Sequence, residues 1–136
     1  MKRTASAHWE GDLKTGKGNL STQSTVLNKS QYSFNTRFEE GVGTNPEELL
    51  AASHAGCFTM QVGAALGQAG FPAASLDTVA TVTLEGLDIK GVHLSIKGSV
   101  PKITATQFIE FTKGAEKNCI ISKALSVPIT SDAILV

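Results

Sequence analysis

The residues of this chain best suited to covalent chemistry are its two cysteines, Cys57 and Cys119. A cysteine is a nucleophile only as the thiolate, so its surroundings must stabilise the anion. A structural disulfide is not expected in a reducing compartment, which leaves the two thiols either inert or redox-active. Each cysteine can therefore react only if a neighbouring group stabilises its thiolate.

Two cationic side chains could stabilise a thiolate at Cys57, which lies about three turns into a predicted helix. The helix dipole acts only in the first and last turns, so it cannot activate this sulfur. His54 lies three residues earlier on the same face, but it is more readily explained as a satisfied core histidine than as a catalytic base. Arg37, in the segment before the helix, is the better candidate because a guanidinium stays charged when it is desolvated.

A carboxylate next to Arg37 could hold its guanidinium by a bidentate pair, and Glu47 and Glu48 are available. Glu47 is ten residues from Cys57 and roughly 80° away around the helix axis, whereas Glu48 lies on the roughly opposite face. This geometry favours Glu47 as the partner of Arg37 and Glu48 as a capping residue.

The distance along the helix axis between Glu47 and Cys57 is about 15 Å, which one arginine side chain cannot easily span. If Glu47, Arg37 and Cys57 act together, the helix must bend or a second copy of the chain must supply part of the site. Two antiparallel helices from two copies would bring Glu47 of one chain near Cys57 of the other. Close packing of such helices would be permitted by the small residues Ala51, Ala52, Ala55 and Gly56.

Cys119 has a different setting, because Asn118 before it could cap a short helix over residues 119–125. A helix N-terminus favours a thiolate, so local electrostatics alone would allow Cys119 to be the attacking thiol. The apolar surroundings of Cys57 and its nearby arginine favour Cys57 for that role. Cys119 is then expected to be the resolving thiol.

The stretch from Gly43 to Phe71 predicts one long helix with its start and stop signals. Asn45 is a good N-cap, and Pro46 fits the first helical position. Glu48 occupies the capping-box position, and Gly70 provides a left-handed C-terminal cap. Nearly every residue between these ends is apolar or small, which predicts a helix buried on all sides.

The remaining patterns predict strands on either side of this helix and two further helices. The predicted strands are 3–9, 17–23, 32–38, 78–85, 91–100 and 128–136. The predicted helices are 106–116, with Phe108, Ile109, Phe111 and Ala115 on its apolar face, and 119–125. The turn at 86–88 predicts that the two strands around it pair antiparallel. This order predicts a single α+β domain over residues 1–136.

Composition excludes several classes of function. The chain has 41% hydrophobic and 18% charged residues and a formal net charge of +0, which argues against a nucleic-acid-binding protein. The N-terminal segment MKRTASAHWEG lacks the apolar region of a signal peptide, and the polar residues of the long helix argue against a membrane span. We therefore expect a cytoplasmic protein. Two cysteines and three scattered histidines show no metal-ligand spacing.

Four segments closely resemble the OsmC/Ohr family, nearer to its OsmC branch. They are HWEGD at 8–12, FNTRFE at 34–39, GTNPEELLAASHAGCF at 43–58 and AGF at 69–71. The resemblance implies a cysteine-dependent peroxidase that reduces organic hydroperoxides to alcohols. It also implies an OsmC-like fold, in which two long central helices of an intertwined homodimer are wrapped by antiparallel sheets.

By motif position, the resemblance makes Cys57 the peroxidatic thiol and Cys119 the resolving one, with Arg37 and Glu47 holding the thiolate. It implies a sulfenic acid at Cys57, an intramolecular disulfide, and reduction by an external dithiol, which is a lipoylated protein in several members. No metal, haem or flavin is implied. The alternative hypothesis is a non-enzymatic stress protein that binds an apolar ligand in a cavity at the dimer interface.

Overall fold

The computed structural model describes residues 1–136 as a mixture of helices and two three-stranded sheets, which confirms the predicted α+β class. The elements are β1 (Ala5–Glu10), β2 (Lys17–Thr22), β3 (Ser30–Tyr32), a 3-10 turn (Asn35–Arg37), α1 (Pro46–Gln68), β4 (Ser75–Glu85), β5 (Asp88–Ser99), α2 (Ala105–Asn118), α3 (Ile120–Ala124) and β6 (Ile129–Leu135). The chain divides into two compact units, Met1–Leu49 and Leu50–Val136. The single domain over residues 1–136 stays a prediction.

The first unit contains an antiparallel sheet with the strand order β1-β2-β3. Trp9 packs against Tyr32 with ring centroids 5.5 Å apart. Gly18 lies beneath both rings, and a Cβ there would come within 2.5 Å of each. Gly18 is the one buried residue of this unit, so the sheet has no hydrophobic core of its own.

The predicted strand over 32–38 is wrong, because β3 ends at Tyr32 and a 3-10 turn follows. Two hydroxyl side chains compete with the strand hydrogen bonds here. Thr36 Oγ1 donates to the Ser33 carbonyl at 2.8 Å, and the Thr36 amide donates to Ser33 Oγ at 3.3 Å. Arg37 is therefore the last residue of a tight turn and not a strand residue.

Helix α1 begins and ends where the sequence predicts. The Asn45 side chain accepts a hydrogen bond from the Glu48 amide at 2.8 Å, as expected of an N-cap. The Glu48 carboxylate accepts from the Thr44 hydroxyl at 2.5 Å, so the predicted capping box is wrong in that half. At the other end Gly70 has a φ of +86°, and the Phe71 amide donates to the carbonyl five residues back, at Leu66, at 2.8 Å.

The prediction that α1 is buried on all sides is wrong for the single chain. Its buried residues form one stripe at four-residue spacing, made of His54, Phe58, Val62 and Leu66. The side chain of Met60, on the opposite face, is 76% exposed. A helix that is apolar all round has no periodicity to show which face meets the core, so the sequence could not distinguish the two faces.

By length and composition alone, α1 is also long and apolar enough to cross a membrane. Its polar residues therefore do not by themselves exclude a membrane span. One such helix is weak evidence for a membrane span, because core helices of water-soluble proteins meet the same criterion.

The second unit contains a sheet with the strand order β4-β5-β6. β4 and β5 pair antiparallel, as predicted, across a turn in which Gly86 has a φ of +60°. β6 pairs parallel to β5, so this sheet is mixed and the prediction of wholly antiparallel sheets is wrong here. The chain between these two strands forms α2 and α3, the helical crossover that a parallel pair requires.

Helix α2 is fixed by a capping box between Thr104 and Gln107. Phe108 and Ala115 are buried as predicted, but Ile109 is 45% exposed and Thr112 takes its place in the core. A strand face covers the same core from the other side, with Val92, Leu94 and Ile96 buried. Tertiary packing therefore selects a slightly different face of α2 from the one that apolar spacing suggests.

Replacing Gly70 by alanine is expected to destabilise the protein by about 1 kcal/mol, because only glycine adopts this left-handed conformation without strain. No atom lies within 4 Å of the added Cβ, so the strain is confined to the backbone. Urea unfolding at one fixed protein concentration measures the change.

The matched control is Gly114→Ala in α2, where the added Cβ also meets no atom within 4 Å and the backbone is helical. This control is expected to stabilise by about 0.5 kcal/mol. Equal effects of the two substitutions would contradict the role of Gly70 as a left-handed cap.

Candidate active site

In the first unit, Arg37 and Glu47 form an ion pair whose side chains are 33% and 16% exposed. Arg37 Nε lies 3.0 Å from Glu47 Oε1 and 3.3 Å from Glu47 Oε2, so one N–H is shared by both carboxylate oxygens. This differs from the predicted bidentate fork. The two terminal amino groups of the guanidinium have no protein partner and remain free to donate.

Side chains around the 3-10 turn fix the position of this ion pair. Asn45 Nδ2 donates to the Thr36 carbonyl at 2.9 Å, and the Thr36 hydroxyl hydrogen is shared between the Ser33 carbonyl and the Thr44 carbonyl, which lies 2.9 Å from Oγ1. The turn that carries Arg37 is thereby tied to the first residues of α1, where Glu47 lies. The guanidinium consequently has a defined position before any ligand arrives.

A cavity of about 240 Å³ opens beside Arg37 within the same unit. Its other lining side chains are mainly aromatic or aliphatic and include Trp9, Leu13, Tyr32, Phe34 and Pro46. A cation at one point of an otherwise apolar wall suits a small ligand with one polar end.

In the second unit, Cys57 is a half-buried free thiol in the middle of α1. It lines an open groove of about 650 Å³ together with Ala52, Gly56, Met60, Ile120 and Ile121. No charged side chain lines this groove. Both arginines of the chain lie outside this unit, so the groove by itself supplies no guanidinium to the thiol.

Cys119 is fully buried and is itself the N-cap of α3, in place of the predicted cap Asn118. Its Sγ accepts a hydrogen bond from the Ser122 amide at 3.3 Å and lies 3.1 Å from Ser122 Oγ. A capping side chain meets the amide of the third helical residue, which explains why Ser122 is its partner.

His54 is fully buried, and its Nε2 lies 2.7 Å from Ser122 Oγ. Its Nδ1 is buried without a partner, so the prediction of a satisfied core histidine holds for one ring nitrogen and is wrong for the other. Burial lowers the pKa of the imidazole below its ordinary value. The contact between His54 and Ser122 joins residues 68 positions apart, which no local sequence pattern could reveal.

The structure therefore places the four predicted site residues in two groups. Arg37 and Glu47 are in contact in the first unit, and Cys57 and Cys119 lie in the second. Their catalytic roles stay predictions. No group of three His, Cys, Asp or Glu side chains is placed to hold a metal ion.

Comparison with known proteins gives consistent results. Residues 39–132 match the family described as OsmC-like protein. The chain is 46% identical over 136 residues to peroxiredoxin OsmC of Escherichia coli (strain K12), a match that covers 97% of this chain and 95% of that protein. The same figures hold for peroxiredoxin OsmC of Shigella flexneri.

Two solved structures share the fold at low sequence identity. An OsmC-like protein of unknown function from Vibrio cholerae superposes with a TM-score of 0.79 at 14% identity, covering 98% of this chain and 99% of that one. The organic hydroperoxide resistance protein OhrB of Bacillus subtilis superposes with a TM-score of 0.71 at 22% identity, covering 98% of each chain.

Alkylation of the folded, reduced protein is expected to modify Cys57 at least about tenfold faster than Cys119, because one thiol is half-buried and the other is fully enclosed. Mass spectrometry after timed exposure to iodoacetamide measures both rates. In concentrated urea the two thiols are expected to react alike. Equal rates in the folded protein would show that Cys119 is not enclosed.

Proposed function

Because this chain belongs to the OsmC-like protein family, we propose that it is a cysteine-based peroxidase that reduces organic hydroperoxides to alcohols, with Cys57 as the attacking thiol. The observation that carries this proposal is the setting of Cys57, a free, half-buried thiol that opens into an apolar groove. A small substrate can reach this sulfur, whereas Cys119 is enclosed.

The chemistry begins when the Cys57 thiolate attacks the distal oxygen of the hydroperoxide and the O–O bond breaks. Arg37 polarises that bond and stabilises the charge that develops on the departing alkoxide, which takes up a proton from water and leaves as the alcohol. The two free amino groups of its guanidinium suit this role, since Glu47 occupies only Nε. Cys57 is left as a sulfenic acid.

The cycle then closes through the second thiol. Cys119 condenses with the sulfenic acid, releasing water and forming the Cys57–Cys119 disulfide. An external dithiol reduces that disulfide by thiol exchange, and a lipoylated protein is the reductant we propose. The cycle needs no bound metal, haem or flavin. It also requires a reducing compartment, which supports a cytoplasmic location.

The apolar walls of the cavity beside Arg37 support an organic substrate over hydrogen peroxide. Trp9, Tyr32 and Phe34 offer hydrocarbon surface to an alkyl or aryl group, and the guanidinium offers donors to the peroxide oxygens. Hydrogen peroxide would gain nothing from these walls.

We place the complete site in a homodimer. The face of α1 opposite the core is apolar and exposed, with Met60 at its centre. In the first unit, Gly18 is the only buried residue. A second copy of the chain is the partner that would cover the exposed face of α1 and the exposed side chains of the first unit. Antiparallel α1 helices would then set the Arg37–Glu47 pair of one protomer beside Cys57 of the partner subunit.

A second candidate function is favoured by the groove around Cys57, which has no charged lining and would accept an apolar ligand. In that case the protein is a non-enzymatic stress protein, and its thiols only pack. The thiol titration described next distinguishes the two candidates, because a binding protein would keep both thiols.

Treating the reduced protein with one equivalent of an alkyl hydroperoxide is expected to consume two thiols per chain and to form the Cys57–Cys119 disulfide. Cys57→Ser is expected to lose no thiol. Cys119→Ser is expected to stop at a sulfenic acid, which a dimedone adduct reports by mass. Two unreacted thiols in the wild-type protein would refute the peroxidase and support the binding protein.

Arg37→Gln is expected to lower peroxidase kcat/KM by about 100-fold, since a charge-stabilising donor is removed. If the partner supplies Arg37, refolding Arg37→Gln together with Cys57→Ser rebuilds one complete site in each mixed dimer. An equal mixture should then recover about one quarter of the wild-type activity, because half of the dimers are mixed.

The control for this mixture pairs Arg37→Gln with the double variant Arg37→Gln/Cys57→Ser, which has no guanidinium to lend and should recover nothing. If the first mixture also recovers nothing, Arg37 serves the Cys57 of its own chain. A wholly monomeric and fully active protein would refute the dimeric site.

A further inference from the structure

We propose that Ser122 and His54 form a buried proton relay that activates Cys119 for its attack on oxidised Cys57. This inference deepens the proposed function and rests on it for the identity of the oxidised partner. It assigns a role to two residues that the attack on peroxide does not use.

The relay is a continuous chain of hydrogen-bonding atoms. Cys119 Sγ lies 3.1 Å from Ser122 Oγ, which in turn lies 2.7 Å from His54 Nε2. Cys119 and His54 are 0% exposed and Ser122 is 7% exposed. Water is therefore excluded as the usual proton acceptor, and the serine hydroxyl is the one group that contacts both the thiol and the imidazole.

The relay requires the His54 tautomer that carries its proton on Nδ1, the buried ring nitrogen without a protein partner. With that tautomer, Cys119 donates to Ser122 Oγ in the thiol state, and the serine hydroxyl donates to His54 Nε2. In the thiolate state both hydrogen bonds reverse, and the imidazole carries a proton on each nitrogen. The Ser122 amide donates to Sγ in both states and stabilises the anion.

The surroundings of His54 favour a neutral imidazole that can accept a proton. Burial is the cause of its lowered pKa, and no acidic or basic side chain bonds to it. His54 and Cys119 are the only titratable side chains in the buried core, to which α1, β5, α2 and α3 all contribute. The titratable residues of β5 are all exposed. Those closest in sequence to the relay on the three helices are the half-buried Cys57 and Glu116 and the exposed Lys117 and Lys123.

An enclosed thiol needs such an acceptor. A thiol attacks only after its proton has been removed, and no water reaches this one to take the proton. A base that removes the proton during the attack avoids forming a free buried anion. Without the relay, Cys119 would be a poor nucleophile at the pH at which Cys57 is oxidised.

The resolving step conserves atoms, protons and electrons. The S–S bond forms between Cys119 and Cys57, and the S–O bond of the sulfenic acid breaks. The Cys119 proton passes to Ser122 Oγ while the serine proton passes to His54 Nε2. The departing hydroxide becomes water by taking up one proton, and the imidazolium returns to neutral by releasing one.

The experiment isolates this step without using peroxide. Ellman's reagent converts Cys57 to a mixed disulfide with release of one thionitrobenzoate, and attack by Cys119 on Cys57 then releases a second. Stopped-flow absorbance resolves the two phases. The first phase reports the accessibility of Cys57 and the integrity of the fold, and the second reports the nucleophilicity of Cys119.

Ser122→Ala and His54→Gln are each expected to leave the first phase unchanged and to slow the second about 100-fold at pH 7. The second phase of the wild-type protein should be nearly independent of pH above the lowered pKa of His54. In His54→Gln it should rise about tenfold per pH unit towards the wild-type rate, because hydroxide then replaces the missing base. A packing defect would persist at every pH.

The control is His93→Gln, which replaces an exposed histidine on β5 and should alter neither phase. A second phase with the wild-type rate and pH profile in both relay variants would overturn the proposal. A slowed phase that high pH does not restore would overturn it as well. Failure of the wild-type protein to react with hydroperoxide would instead refute the peroxidase, because the Ellman reaction needs none.

Discussion

The packing of α1 is the constraint on which the rest of this structure depends. A helix that is apolar on all sides gains free energy by burying each side, but the single chain buries only one stripe of it. His54 lies within that stripe, and Cys57, three residues later, lies at its border and reaches the groove. The same helix can thus hold an accessible sulfur and an enclosed imidazole.

The features that follow from neighbouring residues are the ones that the sequence predicts well. Both ends of α1 depend on local chemistry, an asparagine cap and a left-handed glycine, and both are found as predicted. The strands β4 and β5 follow from alternation and from the turn at Gly86. The ion pair between Arg37 and Glu47 also follows from local considerations, since the two residues flank one short loop.

The features that depend on residues far apart in the chain are not predicted from the sequence. Two hydroxyl side chains convert the predicted strand at 32–38 into a turn, although its alternating bulky residues suggest a sheet. The parallel pairing of β6 depends on how a helical crossover packs. Cys119 occupies the cap position itself, because a thiol can accept from an amide as a hydroxyl does, and its link to His54 requires the fold.

The way in which Arg37 meets Glu47 limits what else can occupy that position. One nitrogen of the guanidinium, Nε, fixes the position of the side chain through its contact with Glu47, while the other two nitrogens stay available for an incoming molecule. A lysine has a single nitrogen, which would have to bind both the carboxylate and the incoming molecule. This position therefore requires a planar group with separate nitrogens for the two contacts, and a positive charge alone does not meet that requirement.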